Sequence, residues 1–292
     1  MNDIFSSTRF LNYVKLHIGE NRKKLLQWIL AIAGLMIFVA VIYPLIKGTY
    51  SFPEPGEDPM WLKEMSMFWA FLFFLVTSTA ASSFIAYDSK LKRITALSFP
   101  VSTFEKFLTY LLIYGVGTYV IYFIAMICAD YLRVCTAPIY AAPGCTIEPM
   151  PLKYFFSFGE GLTYVVEDGS EVINKNKLVA CMAAFSGLIT LQAFFFLMAS
   201  IWPKATFRKG FLSLIGISIG FNTILFLSFN LALKIYGNIW VFRFRDMFRH
   251  LDQYITFEGF LTTGYIISIV LSIGMYVLAY YRFKEMESIE RW

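Results

Sequence analysis

Residue types that could carry out a reaction are few in this sequence, and their spacing assembles no reacting centre. The two histidines, His17 and His250, lie in separate segments and do not make a metal site between them. There is no G-x-x-x-x-G-K-[ST] loop to cradle a phosphate, no H-E-x-x-H and no C-x-x-C. The cysteines divide into two kinds. Cys128 and Cys181 fall in apolar stretches and read as small buried hydrophobes. Cys135 and Cys145 share one polar segment and could close it with a disulfide in an oxidising compartment. What the spacing points to is a docking element between Tyr87 and Lys106; a solvated basic loop obeying the positive-inside rule is the competing reading and explains the charges but not the apolar arc. Leu91, Ile94 and Leu97 fall on one helical arc, with Lys92, Arg93 and Ala96 facing away. Asp88 is placed to cap that short helix. Phe99-Pro100 ends it, because a residue before proline is pushed out of the α region. Ser102-Thr103-Phe104-Glu105 has the spacing of a capping box, which starts the next helix at Thr103.

The elements that position this stretch are apolar and long. The chain is 58% hydrophobic, 19% aromatic and 15% charged, whereas soluble domains are about 45–50% apolar and about 25% charged. Six stretches, 25–46, 66–87, 107–129, 178–202, 211–233 and 260–281, each suffice to cross about 30 Å of hydrocarbon at about 1.5 Å per residue. The expected fold is therefore an all-α integral membrane protein with six transmembrane helices. Residues 3–19 carry Phe10, Leu11, Tyr13, Val14 and Ile18 on one arc and Arg9, Asn12 and Lys15 on the other, the pattern of an interfacial amphipathic helix, with an N-terminal extension of the first span as the competing reading.

If the N-terminus is cytoplasmic, the larger share of the 25 Lys and Arg residues falls in the inner segments, so both termini are placed inside. The net charge of +5 then reflects topology, and no basic stripe with interleaved stacking residues points to nucleic acid. The outer segment 131–177 is too long for an idle connection and is expected to form a cap, with a short hairpin around Tyr164 to Val166. A second amphipathic pattern at 238–258 reads as an outer interfacial or re-entrant helix. Ser213, Gly216 and Gly220 lie on one face of the fifth span and would let a helix of the same chain or of a second copy approach closely. Ser78 and Ser82 in the second span and Asn222 in the fifth could line a polar pathway; for the hydroxyl run of the second span, packing between helices is the competing reading. Charged residues are missing from the middle of the spans, which disfavours an ion-coupled carrier and an intramembrane enzyme.

Six spans, an amphipathic N-terminal helix, inner termini and a docking helix between spans two and three resemble an ABC-2 type ABC transporter permease. The local sequence Leu97-Ser98-Phe99-Pro100-Val101-Ser102-Thr103-Phe104-Glu105-Lys106 is similar to that family's leucine-proline-valine-serine followed by a glutamate-lysine pair, with Phe99 where many members carry leucine. The resemblance implies a type V exporter-like architecture in a bacterial inner membrane. It implies a separate ABC ATPase subunit that binds the ATP and Mg, no cofactor in this chain, and a second permease as homodimer or pseudo-dimer partner, all embedded in lipid. Leu91, Arg93, Ile94, Leu97, Phe99, Pro100 and Glu105 become the ATPase-coupling residues, with Pro100 to Glu105 anchoring the contact to span three. The cargo is expected to be amphipathic or lipid-like. A reading from another class is a non-transporting sensor or assembly partner whose outer cap binds a ligand or protein.

Overall fold

A computed structural model describes residues 5–42, 60–87, 89, 94–96, 98–139, 147–150, 163–165, 171–173, 177–236 and 257–289. Helices dominate: α1 (Ser7–Ile37), α2 (Met60–Ser82), α3 (Thr103–Tyr110), α4 (Gly117–Thr136), α5 (Lys177–Ile201), α6 (Thr206–Tyr236) and α7 (Phe257–Ile289). A π-helical segment, Leu111–Val116, joins α3 to α4 into one rod. Six helical stretches are long and apolar enough to cross a membrane, so the chain is a multi-pass membrane protein. The expected hairpin is present as β1 (Thr163–Val165) paired antiparallel with β2 (Glu171–Ile173), Tyr164 opposite Val172.

The N-terminal stretch differs from expectation. Residues from Ser7 onward do not form a separate interfacial helix; they are the first half of one helix that continues, through a π turn, to Ile42. The physical reason is local: no proline occurs between Ser7 and Ile42, and Glu20, Arg22, Lys23 and Lys24 are strong helix formers that carry the helix past Gly19. At 36 residues this rod is about 54 Å long, far beyond the hydrocarbon thickness. Its amphipathic half buries Tyr13 and His17 inside the protein.

The other boundaries shift for similar reasons. α2 ends at Ser82, short of the expected Tyr87, and a single 3-10 turn covers Ile85–Tyr87. α7 runs eight residues past the expected Tyr281, because Phe283 and Glu287 are buried there. α6 begins at Thr206 after a tight turn in which Ala205 adopts φ 60°. Thr206 Oγ1 donates to the Trp202 carbonyl at 2.6 Å, and Lys209 lies over the Trp202 ring, 5.7 Å from its centre.

Two apolar clusters hold the bundle. One joins α1, α2 and α4 through Met36, Val39, Phe68, Leu72, Tyr122 and Met126, and Tyr122 donates its hydroxyl to the Phe68 carbonyl. The other joins α2, α3, α5 and α7 around Phe84, whose ring meets Tyr110, Phe196 and Phe283 at 5.0–5.9 Å between centroids. Each such ring pair adds about 0.5–1.5 kcal/mol beyond burial. The π segment widens the helix between the clusters and loosens its carbonyls. Gln192 of α5 reaches Tyr114 O and Gly115 O at 3.5 and 3.4 Å, and Tyr276 of α7 donates to Gln192 Oε1 at 3.0 Å.

The close helix approach within the chain is made at a different glycine from Gly216 and Gly220. An added Cβ at Gly216 or Gly220 would meet nothing within 4 Å, so this face is not packed within the chain. At Gly210 it would come within 2.9 Å of the Phe195 ring, and that is where α6 touches α5. The first turns of α6 make the contact, through Phe207 stacked on Phe195 and Leu214 against the same cluster; from Ile215 to Phe221 the described side chains are mostly exposed. Cys128, expected inside, faces outward from α4, whereas Cys181 is buried. Cys135 is an exposed free thiol, and its expected partner Cys145 lies outside the described residues.

At the far end of α4, Arg133 is buried and bonds Asp130 Oδ1 through Nε at 3.0 Å and the Glu148 carbonyl through Nη2 at 3.0 Å. Asp130 Oδ2 accepts from the Met150 amide at 2.7 Å, so one ion pair fastens residues 147–150 to the helix end. Replacing Asp130 by Asn strands a buried guanidinium and should cost about 3–5 kcal/mol. We expect a lowered thermal midpoint in detergent for Asp130→Asn, partly recovered in Asp130→Asn/Arg133→Met.

Candidate functional site

The stretch between Tyr87 and Lys106, expected to dock a partner, enters the structure as a short helical turn. Ile94 to Ala96 and Ser98 are helical; Leu91, Arg93, Leu97 and the expected cap Asp88 lie outside the described residues. The turn presents opposite faces to its surroundings: Ala96 is buried while Ile94 is 55% exposed. Phe99 is half-buried, its ring 6.0 Å from Tyr13 of α1, and Pro100 is exposed. A groove of about 610 Å³ runs between α1 and Phe99–Val101, with Arg9, Asn12 and Leu16 on its far wall.

Behind the turn is a joint built from two consecutive residues of opposite charge. Ser102 is extended, with φ −65° and ψ 151°, and accepts from the Glu105 amide at 3.2 Å, while Glu105 Oε2 accepts from the Ser102 amide at 3.0 Å. This is the capping box read from the sequence, and it starts α3 at Thr103. The same carboxylate does more. Arg9 grips it bidentately, Nε to Oε2 at 2.7 Å and Nη2 to Oε1 at 2.9 Å, and the Ser6 amide donates to Oε1 at 2.7 Å. Glu105 thus ties the start of α1 to the start of α3.

Lys106 points the other way. Its ammonium is 3.0 Å from Glu287 Oε1, with both side chains buried, and the Thr103 hydroxyl donates to Glu287 Oε2. Lys106 thus ties the start of α3 to the end of α7. Two adjacent residues therefore bind the first and last helices to the helix that follows the docking turn. The two pairs differ in character. Arg9 is a third exposed, so its attraction to Glu105 is screened by solvent, although the carboxylate itself is fully buried. The Lys106–Glu287 pair is dry, and removing either member leaves an uncompensated buried charge.

Glu105, expected among the ATPase-coupling residues as part of the Pro100 to Glu105 anchor, is 0% exposed with its oxygens occupied by Arg9, Ser6 and Ser102. Arg9, Lys106 and Glu287 were missed as site residues. Lys106 had a signal: at a spacing of four it shares the arc of Tyr110. Glu287 had none, since it lies beyond the expected end of the span.

The remaining expected residues lie apart from this joint. Ser78 and Ser82 are half-buried and donate to carbonyls of their own helix, Leu75 O at 3.1 Å and Thr79 O at 2.9 Å. Asn222 is exposed on α6, its amide donating to Ser218 O at 2.7 Å. Ser213, half-buried on the same helix, donates to Lys209 O at 2.8 Å. Gly216-Ile217-Ser218-Ile219-Gly220 spells G-x-S-x-G, but a nucleophile elbow needs a strand-to-helix turn, and all five residues are inside α6. Among the described residues, no three His, Cys, Asp or Glu side chains group as a metal site.

The chain matches no protein-family model, no curated protein and no solved structure. The site is therefore read from its own geometry. For the dry pair this geometry sets a measurable coupling. Lys106→Met and Glu287→Met should each lower stability by about 3–5 kcal/mol. The double variant should cost clearly less than their sum, as a double-mutant cycle in detergent unfolding would read.

Proposed function

We propose that this chain is the membrane-spanning permease subunit of an ATP-driven exporter of the ABC-2 kind, driven by a separate ATPase that binds ATP and Mg. The observation that carries this reading is the pairing of an outward apolar turn at Ile94 with a rigid joint directly behind it. A hydrophobic side chain on a short turn makes a poor surface for water and a good knob for a partner's groove. The joint makes the turn mechanically useful, since force on residues 94–101 reaches α1 through Glu105 and α7 through Lys106. Leu91, Arg93 and Leu97 complete the contact surface, and Phe99 with Pro100 forms its base.

The same reading gives roles to the open helices. α6 exposes Phe211, Leu212, Ile219 and Phe221 together with the unpacked Gly216 and Gly220, a face suited to lipid and to a second permease copy. The cargo would be amphipathic or lipid-like, moving along apolar surfaces without a buried charge in midspan. The membrane would be a bacterial inner membrane, with the docking turn and both termini on the ATPase side.

Two variants separate contact from transmission. Ile94→Asp combined with Leu91→Asp should reduce co-purification of the ATPase to background while the chain still inserts; unchanged co-purification would sink the docking assignment. Glu105→Gln weakens the grip of Arg9 without touching the docking surface. It should leave the ATPase bound but reduce cargo-dependent ATP hydrolysis several-fold; loss of ATPase binding would mean that the joint shapes the docking surface itself and would overturn the separate transmission role.

A further inference from the structure

Beside the joint, the bundle encloses a cavity of about 220 Å³. Its floor holds His17, Ser83 and Tyr110, and its mouth holds Glu20, Asn21 and Lys24. His17 is 6% exposed and Ser83 1%, yet neither His17 Nε2 nor Ser83 Oγ has a hydrogen-bond partner. The imidazole is not free to turn away. Tyr110 meets it edge-on at 5.1 Å and 87°, and Tyr114 does so at 6.2 Å and 80°. An unmet buried polar group costs about 1–3 kcal/mol, so the cavity favours an occupant that bonds both atoms.

Depth, charge and size narrow that occupant. Lys24 immediately precedes the apolar half of α1, and Ser83 immediately follows the apolar helix Met65–Ser82, so the cavity lies where the hydrocarbon ends. This is the depth of phospholipid headgroups. Glu20 and Lys24 stand one helical turn apart, about 5–6 Å between Cβ atoms, and set a negative and a positive charge side by side at the mouth. A simple anion would leave Glu20 opposed, whereas a group with a phosphate and an amine two carbons apart satisfies both. The volume is below the about 300–1,000 Å³ of pockets for drug-sized molecules, which suits a headgroup with its acyl chains outside.

We propose that this cavity holds the headgroup of a zwitterionic amine phospholipid, its phosphate against Lys24, His17 and Ser83 and its amine against Glu20. The proposal is independent of the transport reading. It makes the lipid a fourth element of the joint, bridging α1, the end of α2 and α3.

The test is thermal unfolding of the purified full chain in detergent, titrated with phosphatidylethanolamine, phosphatidylglycerol, diacylglycerol or soluble phosphoethanolamine. Phosphatidylethanolamine should raise the midpoint by several degrees, phosphatidylglycerol by less, and diacylglycerol not at all. Ser83→Ala should abolish the shift. Lys24→Gln, an exposed change that leaves the fold intact, should weaken apparent affinity several-fold, and Glu20→Gln should remove the preference for the amine lipid over phosphatidylglycerol. Equal shifts with diacylglycerol, or a full shift in Lys24→Gln and Ser83→Ala, would overturn the site. A full shift with soluble phosphoethanolamine at matched concentration would overturn the lipid as its source, and no shift with any ligand would leave the cavity to water and end the proposal.

Discussion

Glu105 and Lys106 are neighbours in the chain, both fully buried, and of opposite charge. Successive residues on a helix point about 100° apart, so these two charges cannot satisfy one another across the helix surface and must each find a partner elsewhere. The nearest available partners are at the two ends of the sequence, Arg9 and Glu287. That requirement explains features that would otherwise look unrelated. α1 begins early enough to bring Arg9 alongside α3, and α7 continues far enough to bring Glu287 back. The aromatic cluster around Phe84 then fills the space that these three helix ends enclose. It supplies the water-free surroundings in which the Lys106–Glu287 pair has to be geometrically good to be tolerated at all.

The same constraint decides which parts of the bundle are stiff. At the joint, ion pairs and stacked rings hold α1, α3 and α7 together. The rod that leaves the joint passes almost at once into the π segment Leu111–Val116, whose wider turn is held by long bonds from Gln192 rather than by short ones. A rigid end followed by a compliant section is what a lever requires, and π turns recur at functional positions in helices. Beyond this section the second apolar cluster takes over, and the Asp130–Arg133 pair closes the opposite end. The joint thus holds α1, α3 and α7 at one end of the rod, with the π segment between it and the far cluster.

Legibility in the sequence followed the range of each interaction. The six apolar helices and the capping box were readable because hydrophobic length and S-x-x-E spacing are local properties. The β1–β2 pairing was within a residue or two of its expected place for the same reason. The continuity of α1 was misread because an amphipathic pattern resembles a surface helix whether the apolar side meets lipid or another helix; only Tyr110 and Phe99, nearly ninety residues away, decide that Tyr13 and His17 are interior. Gly216 and Gly220 matched a packing motif, yet Gly210, with no motif, makes the close approach, because the tilt of α6 is set by the turn at Ala205. Glu287 was invisible as a site residue, since nothing near it in the chain reports Lys106.

A buried charge pair between distant segments also bears on how the chain can fold. Lys106 is inserted early in a chain made from its N-terminus, whereas Glu287 arrives only with the last helix, so the lysine must wait through the insertion of α5 and α6 with its charge unpaired. At the edge of the hydrocarbon that wait is tolerable, because a lysine stem can reach up to water until its partner appears. In midspan it would not be. The position of the joint at a helix end, rather than inside a span, is therefore a requirement of assembly. The same turns of α7 that bring Glu287 to Lys106 and Thr103 also bring Phe283 into the ring cluster.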